Sequence, residues 1–354
     1  MSLRWPWSRS SSTDQLVVSW ASGALAFVRV RPRKGGGFDL VAAGIAHQGE
    51  HGLDGLVDQL EAHDLRGLNA AVMLRPEQYQ FLQIDAPAVA PEELRAAARY
   101  LIRDMVPTHL DDITLDVLRV GDGQQTGTRH LFVVATTNAV IQELMQLAQR
   151  MQWPVQVIDV QETAQRNLQS LGASGQATQS MASAALVLTP EHQAILTISA
   201  NEELFYTRRF DLPDGFLSHA WGEVVDSEVS AIDAFTPVEE YVPDYAAPSP
   251  SVDLGVAPSP LTADDGLQRL VVEVQRSLDL WERTWSSKPL SGLRLYAGER
   301  SAELADKVGQ QLGQTVGVLA LGAMFAGWSD LAPATQAACM PLLGVCLRTE
   351  PRKL

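Results

Sequence analysis

Basic residues, thiols, aromatic rings and long apolar runs are all scarce in this chain. Of its 354 residues only 27 are Lys or Arg, against 42 Asp or Glu, so the net charge is −15. Nucleic-acid affinity rests largely on phosphate neutralisation by Lys and Arg, so a balance this acidic argues against a nucleic-acid partner. It argues equally against attachment to an anionic bilayer by charge alone. Cysteine is limited to Cys339 and Cys346. On an expected helix these lie about 10.5 Å apart along the axis, beyond the Cα separation of about 7 Å that a disulfide tolerates. Two unpaired thiols fit a reducing, cytoplasmic compartment. Residues 1–13 contain arginines with no apolar stretch behind them and do not read as a signal peptide. Residues 313–329 are uncharged but include four glycines, and residues 331–347 are broken by Pro333 and Pro341. Neither reads as a membrane span.

What is present describes a globular protein, with 46% hydrophobic and 19% charged residues. The negative charge is uneven. Twelve acids and no Lys or Arg fall between Asp211 and Asp265. The centre of this stretch, residues 236–262, is rich in Pro, Ser and acid and lacks helical or strand periodicity. It reads as a solvated insert, or as a partner-docking segment around Tyr241, Val242 and Tyr245.

Elsewhere strands and helices alternate. Strands are expected over 16–18, 24–31 and 38–43, with Gly35, Gly36 and Gly37 in the last turn, then a helix over 53–62 and strands over 69–74 and 80–84. Pro91 opens a helix whose apolar stripe is read as Leu94, Ala98, Leu101 and Met105. Strands over 114–120 and 131–136, a helix capped by Thr137 or Asn138, a strand over 155–159 and a helix ending near Gly172 follow. The second half repeats the pattern: a meander at 185–188, 194–199 and 202–209, then a helix over 267–285 carrying Leu270, Val274, Leu278 and Trp281 on one face. A strand over 292–296, a helix over 302–312, a strand over 316–319 and a last helix over 331–347 complete it. Two such halves imply an α/β protein with a mixed sheet, built twice.

Motifs for chemistry are thin. The triple glycine lacks the following Lys-Ser/Thr of a phosphate loop. His47 and His51 stand in a Gly-rich loop with no third ligand nearby. No Gly-Xaa-Ser-Xaa-Gly occurs. Glu92 and Glu93 fit a helix N-terminus, and Asp111 and Asp112 a solvated turn, better than an acid–base pair. Trp5 and Trp7 sit in the basic tail, whereas Trp281 and Trp285 read as core. No catalytic residue and no metal ligand is expected.

Four stretches together resemble the PilM-like proteins of type IV pilus assembly, within the actin-like ATPase superfamily, and most nearly their MSHA biogenesis (MshI-type) members. The first combines Gln83-Ile84-Asp85-Ala86-Pro87, Pro91-Glu92-Glu93-Leu94-Arg95, Tyr100-Leu101-Ile102, Val106-Pro107 and Asp111 to Asp116. The others are Phe132 to Thr136 with Trp153 to Asp159, Glu273-Val274-Gln275-Arg276-Ser277-Leu278-Asp279, and Leu342 to Arg348. The resemblance implies an α/β, actin-like (ribonuclease H-like) two-lobed fold. Residues 13–83 and 155–180 would form the first lobe, 84–154 an inserted α/β subdomain, 181–330 the second lobe, and 331–354 a helix returning to the first lobe.

Active members of this superfamily hold Mg-ATP with Asp-Xaa-Gly turns in each lobe and a glycine pair near the adenosine. Here Ser19, Trp20, Ala21, Ser22 and Gly23 occupy the first turn, Pro190 and Glu191 the second, and Gly298 and Glu299 the third. With no acid at Ser19 and bulk at Glu299, the implied cleft is degenerate, and neither ATP nor magnesium is expected as a cofactor. The resemblance also implies a groove for the N-terminal cytoplasmic tail of a bitopic inner-membrane partner resembling PilN, lined by Phe81, Ile84, Leu94, Ala98, Leu101 and Val133. The assembly ATPase is a further implied partner. The expected role is a cytoplasmic scaffold, with a type II secretion platform component or an active ATPase or kinase as the alternatives.

Overall fold

The computed structural model describes residues 14–21, 23–121, 129–170, 181–189, 192–218, 221 and 263–348. The expectations for residues 1–13 and 236–262 lie outside these. The first half begins with the meander β1 (Gln15–Ala21), β2 (Ala24–Pro32) and β3 (Phe38–His47), followed by α1 (Gly52–Ala62) and β4 (Ala70–Met73). A three-stranded sheet then intervenes, built from β5 (Tyr79–Asp85), β6 (Ile113–Arg119) and β7 (His130–Thr137), with α2 (Leu94–Leu101) beside it. The chain returns through α3 (Asn138–Arg150), β8 (Val155–Asp159) and α4 (Gln161–Ser170). The second half runs β9 (Ala182–Thr189), β10 (Gln193–Ala200), β11 (Glu203–Asp211), α5 (Ala263–Thr284), β12 (Leu290–Tyr296), α6 (Ser301–Leu312), β13 (Val316–Val318), β14 (Phe325–Ala326) and α7 (Pro333–Cys346).

The two halves repeat one topology. The larger sheet has the order β14-β3-β2-β1-β4-β8 and the second the order β11-β10-β9-β12-β13. Leaving β14 aside, each sheet is a meander whose first strand is joined in parallel by two later strands. In the repeat α1 corresponds to α5, α3 to α6, and α4 to α7. The double build expected from the sequence is therefore present.

Burial follows from these layers. β1 is covered on both faces, so it reads as a continuous apolar run rather than an alternating one. Leu16, Val18 and Trp20 face the core beneath α1 and α3, and Val17 faces the opposite core with α4 and α7. The second sheet packs on α5 through Leu270, Val274, Leu278 and Trp281, the stripe expected from helical spacing. α7 lies against the first-half meander, and α4 lies against β9, β10 and β11. Each closing helix thus covers the other half's sheet. Cys339 and Cys346 on α7 are free, buried thiols, both pushed up to about 12 by burial.

Three expectations need correction. α3 packs through Leu144, Leu147 and Ala148 into the core containing Leu56, Leu60 and Trp153. By packing it belongs with the larger sheet, and the inserted sheet runs from Tyr79 to Thr137. α2 is also shorter than expected and ends at Leu101. Its buried side chains are Ala98 and the following Ile102, while Leu101 is 50% and Met105 46% exposed. Finally, β14 has no counterpart in the sequence reading. It pairs in parallel with β3, where Phe325 stacks on Phe38 at 5.5 Å. Two residues inside a Gly-rich run carry no periodicity from which to infer a strand. The join needs Gly37, whose φ is +78° and where a Cβ would lie 2.7 Å from the Met324 carbonyl oxygen.

Candidate functional site

Two sites follow from the sequence reading: the cleft at the strand ends and the groove beside the insert. In the cleft, Ser19 lies on β1 beside Val17 and Ala21. It is buried, and its Oγ has no hydrogen-bond partner among the described residues. Trp20 points to the opposite core, and its carbonyl accepts from Gln78 Nε2 at 2.9 Å. Ala21 and Gly23 are half-buried; Gly23 turns the hairpin with φ +74°. Gly298 has φ +61°, a Cβ there would meet no described residue within 4 Å, and Glu299 is exposed. Ser22, Pro190 and Glu191 lie outside the described residues.

The carboxylate at the level of Ser19 stands two strands away. Met73 of β4 pairs in register with Asp159 of β8, and Asp159 is already committed. It accepts from the Val160 amide at 2.9 Å, from Thr163 Oγ1 and from Arg348 Nη1 at 2.9 Å. It therefore ties the chain entering α4 to the Thr163 hydroxyl of that helix and to Arg348 just beyond α7. On the second half Tyr296 is buried in the same core as Val17 and Val187, its phenol pushed up to about 12 by burial. At the third turn Arg300 stacks over Trp221 at 3.6 Å and donates to the Leu217 carbonyl at 2.8 Å. Among the described residues, Val17, Val187 and Tyr296 share one core between the halves, and Asp159 and Arg300 are both held in ion pairs.

The groove is open. A cavity of about 340 Å³ lies between the inserted sheet and the larger one. Leu115, Asp116 and Leu118 of β6 and Val134 of β7 form one wall, and Gln156, Val157 and Ile158 of β8 the other, with Ile141 also lining it. β6 and β8 are both terminal strands of their sheets. Their outward backbone groups have no strand partner among the described residues, which makes each a template for an added strand. Asp116 and Arg95, paired at 2.9 Å, stand exposed at the rim.

None of the six expected groove residues lines this cavity. Ile84, Ala98 and Val133 are buried inside the insert with Ile102, Ile113 and Leu131, and Leu94 packs on the same cluster. Leu101 is half-exposed elsewhere on the surface, and Phe81 lies 5.0 Å from Phe132. For Val133 the physical reason is strand parity: a one-residue step moves a side chain to the other face, whereas Leu94 and Ala98 turn the inner side of α2 towards the insert's own core. Val134, not Val133, faces the groove. The missed wall, β8, reads in sequence as an ordinary core strand, because only its place at the sheet edge opens its flank.

No family model matches the sequence, and no curated protein matches it. Solved structures do. A chain of the PilM–PilN type IV pilus biogenesis complex superposes with a TM-score of 0.60 at 14% identity, covering 95% of this chain and 99% of that one. A Bacteroides thetaiotaomicron protein with an actin-like ATPase fold and unknown function gives a TM-score of 0.48 at 8% identity, covering 94% and 96%. The cytoplasmic domain of EpsL, an inner-membrane component of the type II secretion system of Vibrio cholerae, gives 0.40 at 13% identity, covering 56% and 71%. The fold is actin-like. That agrees with the doubled sheet topology and the paired closing helices. Among the described residues no helix is long and apolar enough to cross a membrane.

Proposed function

We propose that this actin-like chain is a scaffold of a type IV pilus assembly platform, of the MSHA kind, held in the cytoplasm at the inner membrane through its partners. The observation that carries the reading is the groove: an apolar cavity between two terminal strands, in a fold shared over nearly its whole length with a chain of the PilM–PilN complex. The occupant is the N-terminal cytoplasmic tail of a bitopic inner-membrane protein resembling PilN. Such a tail adds its backbone to β6 or β8 and seats apolar side chains against Leu118, Val134, Ile141 and Val157. The exposed Arg95–Asp116 pair at the rim fixes register more than affinity. The assembly ATPase is a second partner of the same scaffold.

Ile158 tests this. It is 38% exposed and lines the groove, so Ile158→Arg leaves the core intact while placing charge where the tail packs. Titration with a peptide of the partner's tail should show affinity reduced about tenfold or more, or roughly 1.4 kcal/mol, with the melting temperature little changed. Leu101→Arg, outside the groove, should bind as the parent does. A folded Ile158→Arg variant that binds normally would place the tail elsewhere.

The scaffold does its work without hydrolysing ATP. Ser19 supplies no carboxylate for a metal, and Asp159 is occupied by the Val160 amide, the Thr163 hydroxyl and Arg348. Calorimetric titration with Mg-ATP should give no binding tighter than about 1 mM, a binding free energy of only about −4 kcal/mol. Low-micromolar affinity would overturn this part of the reading.

A further inference from the structure

The outer face of α5 contributes no residue to the cleft or to the groove described above. Arg269, Val272, Arg276, Leu280 and Arg283 recur at spacings of three and four, so they form one stripe along the helix. All five are exposed, including the apolar Val272 at 47% and Leu280 at 51%. Glu273 on one border takes both Arg208 from β11 and Arg276, so two guanidinium groups share a single carboxylate. On the other border stand Asp279, which accepts from Gln275 at 2.6 Å, and Glu282. Arg269 and Arg283 have no ion-pair partner among the described residues. Beside Arg269 a cavity of about 240 Å³ opens between α5 and β11, the terminal strand of its sheet.

The complement to this stripe lies in the same chain. Residues 222–262 contain eight acids and no Lys or Arg, and they lead directly into α5 at Ala263. We propose that the arginine stripe of α5 is a docking surface for this acidic segment, seated through residues 239–245. Their sequence, Glu239-Glu240-Tyr241-Val242-Pro243-Asp244-Tyr245, sets apolar groups between carboxylates, as the stripe sets Val272 and Leu280 between guanidinium groups. The acids pair with Arg269, Arg276 and Arg283, and Tyr241 and Val242 cover the two exposed aliphatic side chains.

The connection favours the chain's own segment over a foreign one. Eighteen residues, 246–263, join this sequence to the helix. A connection of that length spans about 25 Å on average, and the axial distance from Ala263 to Arg276 is about 20 Å. A tether matched to its span gives an effective concentration in the millimolar range. Contacts that would be weak between separate molecules are then substantially occupied.

The test uses the full chain and a variant in which residues 236–261 are replaced by a Gly/Ser linker of equal length. The probe is a fluorescent peptide of residues 236–249. The replaced variant should bind the probe, and the full chain, whose own segment holds the stripe, should bind it about fivefold more weakly or worse. Raising salt from about 50 to 300 mM should weaken binding. In the replaced variant, Arg269→Gln, Arg276→Gln and Arg283→Gln together should weaken it by a similar factor. All three side chains are exposed, so an unchanged melting temperature shows that the fold persists. Equal probe binding by full chain and replaced variant, no binding by either, or indifference to the arginine changes would overturn the proposal. So would arginine-dependent self-association of the full chain, which would assign the stripe to a second copy. Arginine-dependent capture of the replaced variant by phosphatidylserine vesicles, without probe binding, would assign it to a lipid surface.

Discussion

Gly344→Ala should strip several kcal/mol from the fold or prevent accumulation of soluble protein. α4 and α7 are the paired closing helices of the two halves, and they cross backbone against backbone. A Cβ built on Gly344 would lie 2.0 Å from the Ala164 carbonyl oxygen and 2.5 Å from its carbonyl carbon. Neither atom belongs to a flexible side chain, so relief requires that one helix move. Overpacking in well-packed cores typically costs about 1–3 kcal/mol and more where backbone must shift. Here the shift would also stretch the 3.0 Å bond from Asn167 Nδ2 to the Gly344 carbonyl. It would separate Ala164 and Leu168 from Leu342 and Leu343 as well. Alanine favours a helix interior by about 1 kcal/mol over glycine, so a neutral or stabilising result in thermal or denaturant unfolding would show that the helices do not approach this closely. Ala164→Gly is the control. It removes one methyl from α4, leaves the crossing intact and should cost far less.

The repeat and its periodic elements were legible in the sequence, whereas the sites were only partly so. β-branched runs mark strands such as β8, and Leu270, Val274, Leu278 and Trp281 mark α5, because burial of one face imposes a period that survives in sequence. The wall of the groove depends on which face of β7 turns inward and on β8 ending a sheet. Both are properties of tertiary pairing, so sequence alone does not separate Val133, which is buried in the insert, from Val134, which lines the cavity. The stripe of α2 differs from the sequence pattern by a similar step. Leu101 and Ile102 are both apolar, and only packing decides that Ile102 is buried. α4 is the strongest case of the same limit. Its sequence, QETAQRNLQS, has the composition of a surface helix, yet residues 161–169 are all buried. Its glutamines make this tolerable: Gln165 Nε2 donates to the carbonyls of Ala185 and Ile195, both at 2.9 Å, and Gln169 Nε2 to those of Ser183 and Thr197. A buried polar helix of this kind is invisible to hydropathy because its partners come from another sheet.

Arg209→Leu should be the most damaging charge deletion near the junction of insert and second half. Arg209 reaches from β11 to Glu162 on α4, with Nε at 2.9 Å and Nη2 at 2.7 Å from one carboxylate oxygen, and Nη1 at 3.1 Å from the Pro76 carbonyl. Its guanidinium lies 4.6 Å from the centre of the Tyr79 ring, and the Tyr79 hydroxyl donates to the second Glu162 oxygen. Burial, and then the Glu162 charge, hold the Tyr79 phenol well above its ordinary pKa, so it remains a donor throughout the physiological range. Glu162 is fully buried. Removing one partner of such a pair leaves an uncompensated charge and typically costs about 3–5 kcal/mol, although the intact pair contributes little net stability over apolar side chains. A double variant identifies the cause. Glu162→Gln with Arg209→Leu carries no carboxylate there and should be more stable in denaturant unfolding than Arg209→Leu alone. If the double variant were no more stable than the single one, the loss would be one of packing around Tyr79 and Pro76, and the buried, unpaired carboxylate of Glu162 would not be its cause.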